Sequence, residues 1–438
     1  MNARYLMLSS TLVLAGIAAN GCGENPTAVN DRCMDLPTAP LSARVDLARP
    51  SFSNPTNVIN PLFPVSSLGR VVLLGNVDGV PLRVETTLMA ERRTIDVNGR
   101  PVATLVSQYV AWVGRQLHEV AIDWYAQDDA GAVWYFGEDV HNYESGVVVD
   151  TDGTWLAGRD GPVAMIMPAA PSVGQAWRPE NLCGVVFEEV VAKVTGVTVT
   201  GPRGAITGAL VTDELHMDGT REDKTFAPGY GEFSSGNASG NLEAVAVAVP
   251  TDALPGAIPP ELRTLLAGAD SVFDAAQARD WALASALGAR LNTAWASFQS
   301  GSVPPMLRTQ MNTALSLLGS TVAGRNVATS RQAAIDVSLA TLDLQLRHRP
   351  RTEIDLQLLG VWARQLEVDA AAANQANVLA DAASLKWIRD RLATDVRPGA
   401  ESIDAQLIAI RSAAQSRDFA AAAEGARRLG TLTRGVIE

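Results

Sequence analysis

Alternation of apolar and polar side chains runs strongest through residues 117–142, LHEVAIDWYAQDDAGAVWYFGEDVHN. Two strands joined at Asp128-Asp129-Ala130-Gly131 account for it. A type I turn closed by glycine in a left-handed conformation suits that loop and sets Asp128 opposite Ala132. In this register Trp124 faces Phe136, Tyr125 faces Tyr135 and Glu119 faces His141. One face then carries Val120, Ile122, Trp124, Trp134 and Phe136; the other carries Glu119, Asp123, Tyr125, Tyr135, Asp139 and His141. A slip of one residue would mix the two sets, so the sorting itself argues for the register.

The same period of two extends from residue 69 to about 249. Strands are expected at 71–74, 82–97, 102–112, 117–127, 185–200, 205–216 and 243–249. Asn98-Gly99 is a strong two-residue hairpin signal, and Gly114-Arg115 marks the next reversal. Asp218-Gly219 reads as a further hairpin turn that pairs Asp213 with Lys224. Successive long hairpins predict a meander, either a large curved antiparallel sheet or a partly closed barrel.

Beyond residue 249 the texture changes. Pro250, Pro255, Pro259 and Pro260 fall within 250–260 and exclude regular structure there. Helical periodicity follows, for example Ile335, Leu339, Leu342 and Leu346 on one face. Helices are expected near 261–299, 305–323, 327–347, 353–373, 376–394, 401–415 and 418–434. Short breaks at Arg325-Asn326, Ala373-Asn374 and Arg417-Asp418 recur about every 40–50 residues, the scale of helical hairpins. Stacked hairpins or an irregular bundle would both produce them, and the bundle is preferred. The expected fold class is α+β and multidomain: an N-terminal antiparallel β-sheet, half-barrel-like, followed by an all-α helical bundle.

The N-terminus adds a location. Arg4 precedes an apolar run over residues 6–19 that is too short to span a bilayer comfortably, and small residues lead to Cys22. This resembles a bacterial lipoprotein signal with Cys22 as the lipidated residue, and Gly23 after it points to the outer membrane of a Gram-negative envelope. The alternative is simple secretion. The expected division is a signal peptide at 1–22 and a flexible tether at 23–65 that gradually joins the fold, with Phe63 as its anchor. The β domain follows at 66–249, a proline-rich linker at 250–260 and the helical domain at 261–438. Cys33 and Cys183 are the cysteines left after processing, and an oxidising compartment makes them a disulfide candidate.

Composition narrows the partners. A formal charge of −12 argues against nucleic acid, whose phosphates demand a basic face. It leaves small molecules, cations, polysaccharide or other proteins, and the partners expected are the membrane through the lipid anchor and a small apolar or carbohydrate ligand or an envelope protein. The segments Asp123-Trp124-Tyr125-Ala126-Gln127-Asp128 and Val133-Trp134-Tyr135-Phe136-Gly137-Glu138, with Trp155-Leu156-Ala157-Gly158 and Ala227-Pro228-Gly229-Tyr230-Gly231, resemble a group of uncharacterised bacterial secreted proteins and lipoproteins. The resemblance covers about residues 60–235 and implies an envelope protein with a β-sheet domain. At fold level alone, the chain is also similar to half-barrel envelope lipoproteins that hold lipids in a curved sheet.

The candidate ligand-binding set lies on the polar face of the central hairpin: Glu119, Asp123, Tyr125, Tyr135, Asp139 and His141. Carboxylates and an imidazole on neighbouring strands can bind a cation or share a proton, and tyrosines can stack on a sugar. The plain alternative is a solvated face with Glu119–His141 as an ordinary cross-strand pair. Glu138 joins the set as the odd acid on the apolar face, either a buried functional acid or the partner of Arg115 or Arg159. His216 and His348 are isolated and receive no role. Asp336, Asp343, Asp355 and Asp369 on the helices lack the Glu-x-x-His spacing of di-metal bundles, and nearby arginines offer them ion pairs. No metal centre or cofactor is expected, and GxSxG, HExxH, P-loop and Rossmann fingerprints are absent. The reading favours a non-catalytic binding protein of the cell envelope. The alternative is a metal-dependent or acid/base hydrolase built on Glu119, Asp123, Asp139 and His141.

Overall fold

The computed structural model describes residue 33 and residues 35–237, 239–392 and 399–437. Cys22 and the expected signal segment lie outside these residues. The chain divides into two compact units: a β unit that runs to Tyr143 and again over Val148–Thr251, and a helical unit that takes Glu144–Val147 and the residues from Asp252 onward.

The β unit is one antiparallel sheet of 14 strands. In chain order these are β1 (Arg70–Val77), β2 (Val80–Asp96), β3 (Pro101–Val113), β4 (Gln116–Gln127), β5 (Val133–Glu144), β6 (Val147–Asp150), β7 (Trp155–Leu156), β8 (Ala164–Met167), β9 (Ala176–Leu182), β10 (Val186–Gly201), β11 (Gly204–His216), β12 (Arg221–Ala227), β13 (Gly231–Gly236) and β14 (Leu242–Val249). Two meanders, β1–β6 and β9–β14, meet where the first strand pairs with the last, Arg70 opposite Val249. The short strands β7 and β8 both pair with β5. No ladder joins β8 to β9 among the described residues, so the sheet is unclosed.

Local turn chemistry explains the meander. Asn98 and Gly99 have φ of 55° and 77°, the mirror-image turn that matches strand twist. Val97 and Arg100 exchange both backbone hydrogen bonds across it. At the central hairpin, Asp128 N–H donates to Ala132 O at 2.9 Å, and the Asp128 carboxylate accepts from the amides of Ala130 and Ala132. Trp134 Nε1 donates to the same carboxylate at 2.8 Å.

Part of the expected tether is part of the fold. Arg44 bridges to Ala176, Val58 is fully buried, and the Phe63 ring meets Tyr125 edge-on at 5.3 Å. Apolar side chains within a proline- and asparagine-rich segment are enough to hold it down. Cys33 and Cys183 form a disulfide with Cα atoms 5.7 Å apart.

The helical unit contains α1 (Pro260–Gln277), α2 (Trp281–Phe298), α3 (Pro305–Ala323), α4 (Val327–Gln345), α5 (Arg351–Ala371), α6 (Gln375–Asp390), α7 (Ala400–Gln415) and α8 (Phe419–Ile437). Helices α1–α4 pack in a closed ring, each against its chain neighbours and α1 against α4; α5–α8 repeat the ring, and α4 adjoins α5. The result is two four-helix bundles in tandem. The stretch expected as one helix at 261–299 breaks into α1 and α2. Arg279 takes a left-handed φ of 59°, and the Asp280 side chain then caps α2 by accepting from Leu283 N–H at 3.0 Å. Arg325-Asn326, Ala373-Asn374 and Arg417-Asp418 repeat this device, each with a left-handed residue and a side-chain cap. No described helix is long and apolar enough to cross a membrane.

The buried Asp355 and the half-buried Glu367 and Asp270 of this unit meet arginines. Asp355 lies 3.6 Å from Arg351 and 3.5 Å from Arg391, and Glu367 lies 3.6 Å from both Arg331 and Arg427. Arg364 pairs with Asp270. Asp369 instead accepts from Gln365 and Asn377, each at 2.8 Å, beside a buried Asp381 whose pKa is raised by burial and by Asp369.

Candidate functional site

Backbone geometry at Gly137 decides what faces the inside of the sheet. Tyr125 stands opposite Tyr135 and their rings stack at 4.9 Å, as the sequence predicts. Between Asp123 and Tyr125 the register then shifts. Gly137 adopts φ 109°, and a Cβ there would fall 2.1 Å from Trp155 O on β7. Only glycine fits such a bulge. One extra residue on β5 reverses the faces beyond it.

Three expectations change in consequence. Glu138 pairs with Asp123 rather than lying on the apolar face, and it meets neither Arg115 nor Arg159. Asp139 and His141 move to the opposite face, where Asp139 is exposed and His141 half-buried. Glu119 pairs with Asn142, not His141. The set proposed for hydrolysis is therefore split across the sheet, whereas Glu119, Asp123, Tyr125, Tyr135 and Glu138 share one face and are joined by residues the sequence reading passed over.

That face encloses a cavity of about 160 Å³. Among the described residues lining it, Asp123, Glu180, Glu188, Glu214, Glu232 and Glu243 are acids, and Lys224 is the one cation. Tyr109, Tyr125, Tyr135 and Tyr230 supply aromatic wall. Cross-strand register places Glu222 and His216 on the same face, Glu222 opposite Glu214 and His216 opposite Glu188. The Asp218-Gly219 loop is wider than a two-residue turn, with His216 N–H donating to Thr220 O. Lys224 accordingly pairs with Thr212 and points inward, while Asp213 pairs with Asp223 and ion-pairs with Arg221.

Burial sets the electrostatics. It pushes the Asp123 carboxyl up to about 7, against a 2.8 Å hydrogen bond donated by Tyr135 Oη. Burial, then the nearness of Glu180 and Asp123, raises Glu138 well above the carboxylate range, and a side-chain hydrogen bond with Glu180 adds to the rise. Glu243 is raised by burial and by Glu232 and Glu222. Glu188 and Glu214 interact directly and titrate as a pair: burial opposes charge on both, but Lys224 and His216 overcome it at Glu188 and lower its pKa, while burial and the nearness of Glu188 raise Glu214. Burial works against charge on Lys224, but the surrounding carboxylates overcome it and hold the ammonium form. Its Nζ lies 2.7 Å from Glu214 Oε2 and 3.6 Å from Glu222 Oε1.

The sequence signal for this cluster was an acid at alternate positions of consecutive strands: Glu214-x-His216 on β11 and Glu222-x-Lys224 on β12. Spacing by two puts each pair on one face. His216, which looked isolated in sequence, is among its members.

No family model, curated protein or solved structure matches the chain.

Proposed function

We propose that this is a non-catalytic binding protein of a bacterial cell envelope whose β unit receives a small, positively charged ligand. The observation that carries the reading is the cavity wall: six carboxylic acids and four tyrosines against one lysine. Isolated carboxylates are costly to bury, and a protonated amine answers several of them at once. Tyrosine faces attract the same charge through their quadrupoles. A neutral sugar or an apolar ligand would leave the acids uncompensated, so the cation is preferred among the ligand classes the sequence allows. The envelope setting rests on the basic-apolar start and the Ala19-Asn20-Gly21-Cys22 segment, with lipidation at Cys22 and kinship to bacterial secreted proteins and lipoproteins as parts of the same proposal.

The test is calorimetric titration of the full chain with spermidine and with choline, alongside native mass measurement of the protein as purified. Saturable binding that is lost in the Asp123→Asn/Glu243→Gln double variant supports the reading. A copurifying neutral sugar or lipid, or binding unchanged in the double variant, overturns it.

A further inference from the structure

Within the β unit, Glu214, His216 and Glu222 bring one ligand atom each to within 4.8 Å of one another. Three details set this group apart from the other acids. Both nitrogens of His216 face carboxylates: Nδ1 lies 3.3 Å from Glu188 Oε1, and Nε2 points toward Glu222 Oε1 at 3.7 Å. A carboxylate on Nδ1 fixes the tautomer that frees Nε2 for a metal, the arrangement found behind most ligating histidines. Second, Glu222 is only 4% exposed, yet its Oε1 accepts no hydrogen bond. A buried carboxylate oxygen in that state calls for a cation. Third, that oxygen has two cationic or imidazole neighbours at 3.6 and 3.7 Å, Lys224 Nζ and His216 Nε2, and both stop short of hydrogen-bond reach.

We propose that Glu214, His216 and Glu222 bind a divalent first-row transition metal, with Glu188 positioning the imidazole and Lys224 standing in as counter-ion when the metal is absent. One imidazole and two carboxylates suit zinc or its neighbours in the series, and the imidazole disfavours magnesium and calcium. Bond lengths of about 2.0–2.2 Å require the three ligand atoms to draw closer than they now stand. The Lys224 ammonium must then leave Glu214 Oε2, so metal and lysine compete for the same carboxylates. The site shares Glu188, Glu214 and Lys224 with the cavity wall, yet the two readings fail separately: zinc binding without amine binding would retire the amine reading and leave this one, and the reverse result would do the opposite.

The experiment is a competition titration of the chelator-stripped full chain with Zn²⁺, using a chromophoric chelator, with Co²⁺ substitution to report ligand type by its visible absorption. The expected result is one ion per chain, a Co²⁺ spectrum of nitrogen–oxygen ligation, and affinity reduced about 100-fold in His216→Gln. Lys224→Met removes the competing ammonium and is expected to tighten Zn²⁺ by about tenfold, or one pK unit in the metal. Absence of stoichiometric Zn²⁺ in the parent chain overturns the proposal, as does unchanged affinity in His216→Gln. Should His216→Gln fail to fold, the lysine variant decides: equal or weaker binding in Lys224→Met refutes the exchange between ammonium and metal.

Discussion

The two units differ in how many of their acids meet a cation, although the buried Asp369 and Asp381 of the helical unit lie together as the cavity acids do. In the helical unit Asp355, Glu367 and Asp270 each meet at least one arginine from a neighbouring helix. In the β unit the sheet turns acid after acid toward one cavity and provides Lys224 as its lining cation. Elsewhere in the same sheet Glu85 is bracketed by Arg70 at 3.0 Å and Arg83 at 2.6 Å, so this strand architecture is able to compensate a buried acid. On the proposed reading, a positively charged ligand would supply the compensation that the cavity wall does not.

The contrast predicts a difference in sign. Asp355→Asn leaves Arg351 and Arg391 buried without their carboxylate and is expected to destabilise the helical unit by about 4 kcal/mol, read by chemical denaturation. A cost near zero would mean that the arginines find water, and the comparison would fail. Asp123→Asn acts the other way. The native carboxyl is pushed up to about 7, while an unfolded aspartate titrates near about 3.9. Between those values the native state holds a proton that the unfolded state has lost, so stability falls as pH rises from about 4 to about 7 and levels off above. The asparagine variant loses this contribution to the slope and should exceed the parent by on the order of 2 kcal/mol at pH 8. Denaturation curves at pH 5 and pH 8 measure it, and an unchanged slope would remove Asp123 from the account. The smallest effect sharpens the separation of the two units. Arg325 holds a left-handed φ of 53° at the α3–α4 turn, and Arg325→Gly should relieve about 0.5 kcal/mol without touching an acid. The gain should appear in the helical transition alone; a matching shift in the β unit would show that the two melt as one.

Much of the fold was readable because its determinants are local. Alternation, Asn98-Gly99 and the Asp128–Gly131 loop sufficed to place the long strands, and the helix faces were set by their periodicity. The site was readable only in part. Tyr125, Tyr135, Asp123 and Glu119 lie on the near side of the bulge or on the unbulged strand, and their shared face followed from the hairpin. Glu138, Asp139 and His141 lie beyond Gly137, where a backbone from β7 comes so close that only glycine fits. A glycine inside a strand is a bulge signal, but the contact that requires it is not local. The acids of β10–β14 were invisible for a related reason. Their alternation shows in each strand, but their convergence depends on β1 pairing with β14 and on the curvature of the whole sheet.

The bridge between Cys33 and Cys183 spans 150 residues of sequence, and Cys183 sits in the short connection between β9 and β10. Consider a pull on the chain at residue 33, directed against the C-terminal end. Tension passes across the sulfur atoms to residue 183 and runs on from there. Strands β1–β9 lie inside the covalent ring and carry no backbone tension; they meet the load only through the ladders of β1 with β14 and of β9 with β10. The strands left in the covalent path of the load are β10–β14, and Glu188, Glu214, Lys224, Glu232 and Glu243 of the cavity wall all lie on them, so a pull on the chain is a pull on that side of the cavity.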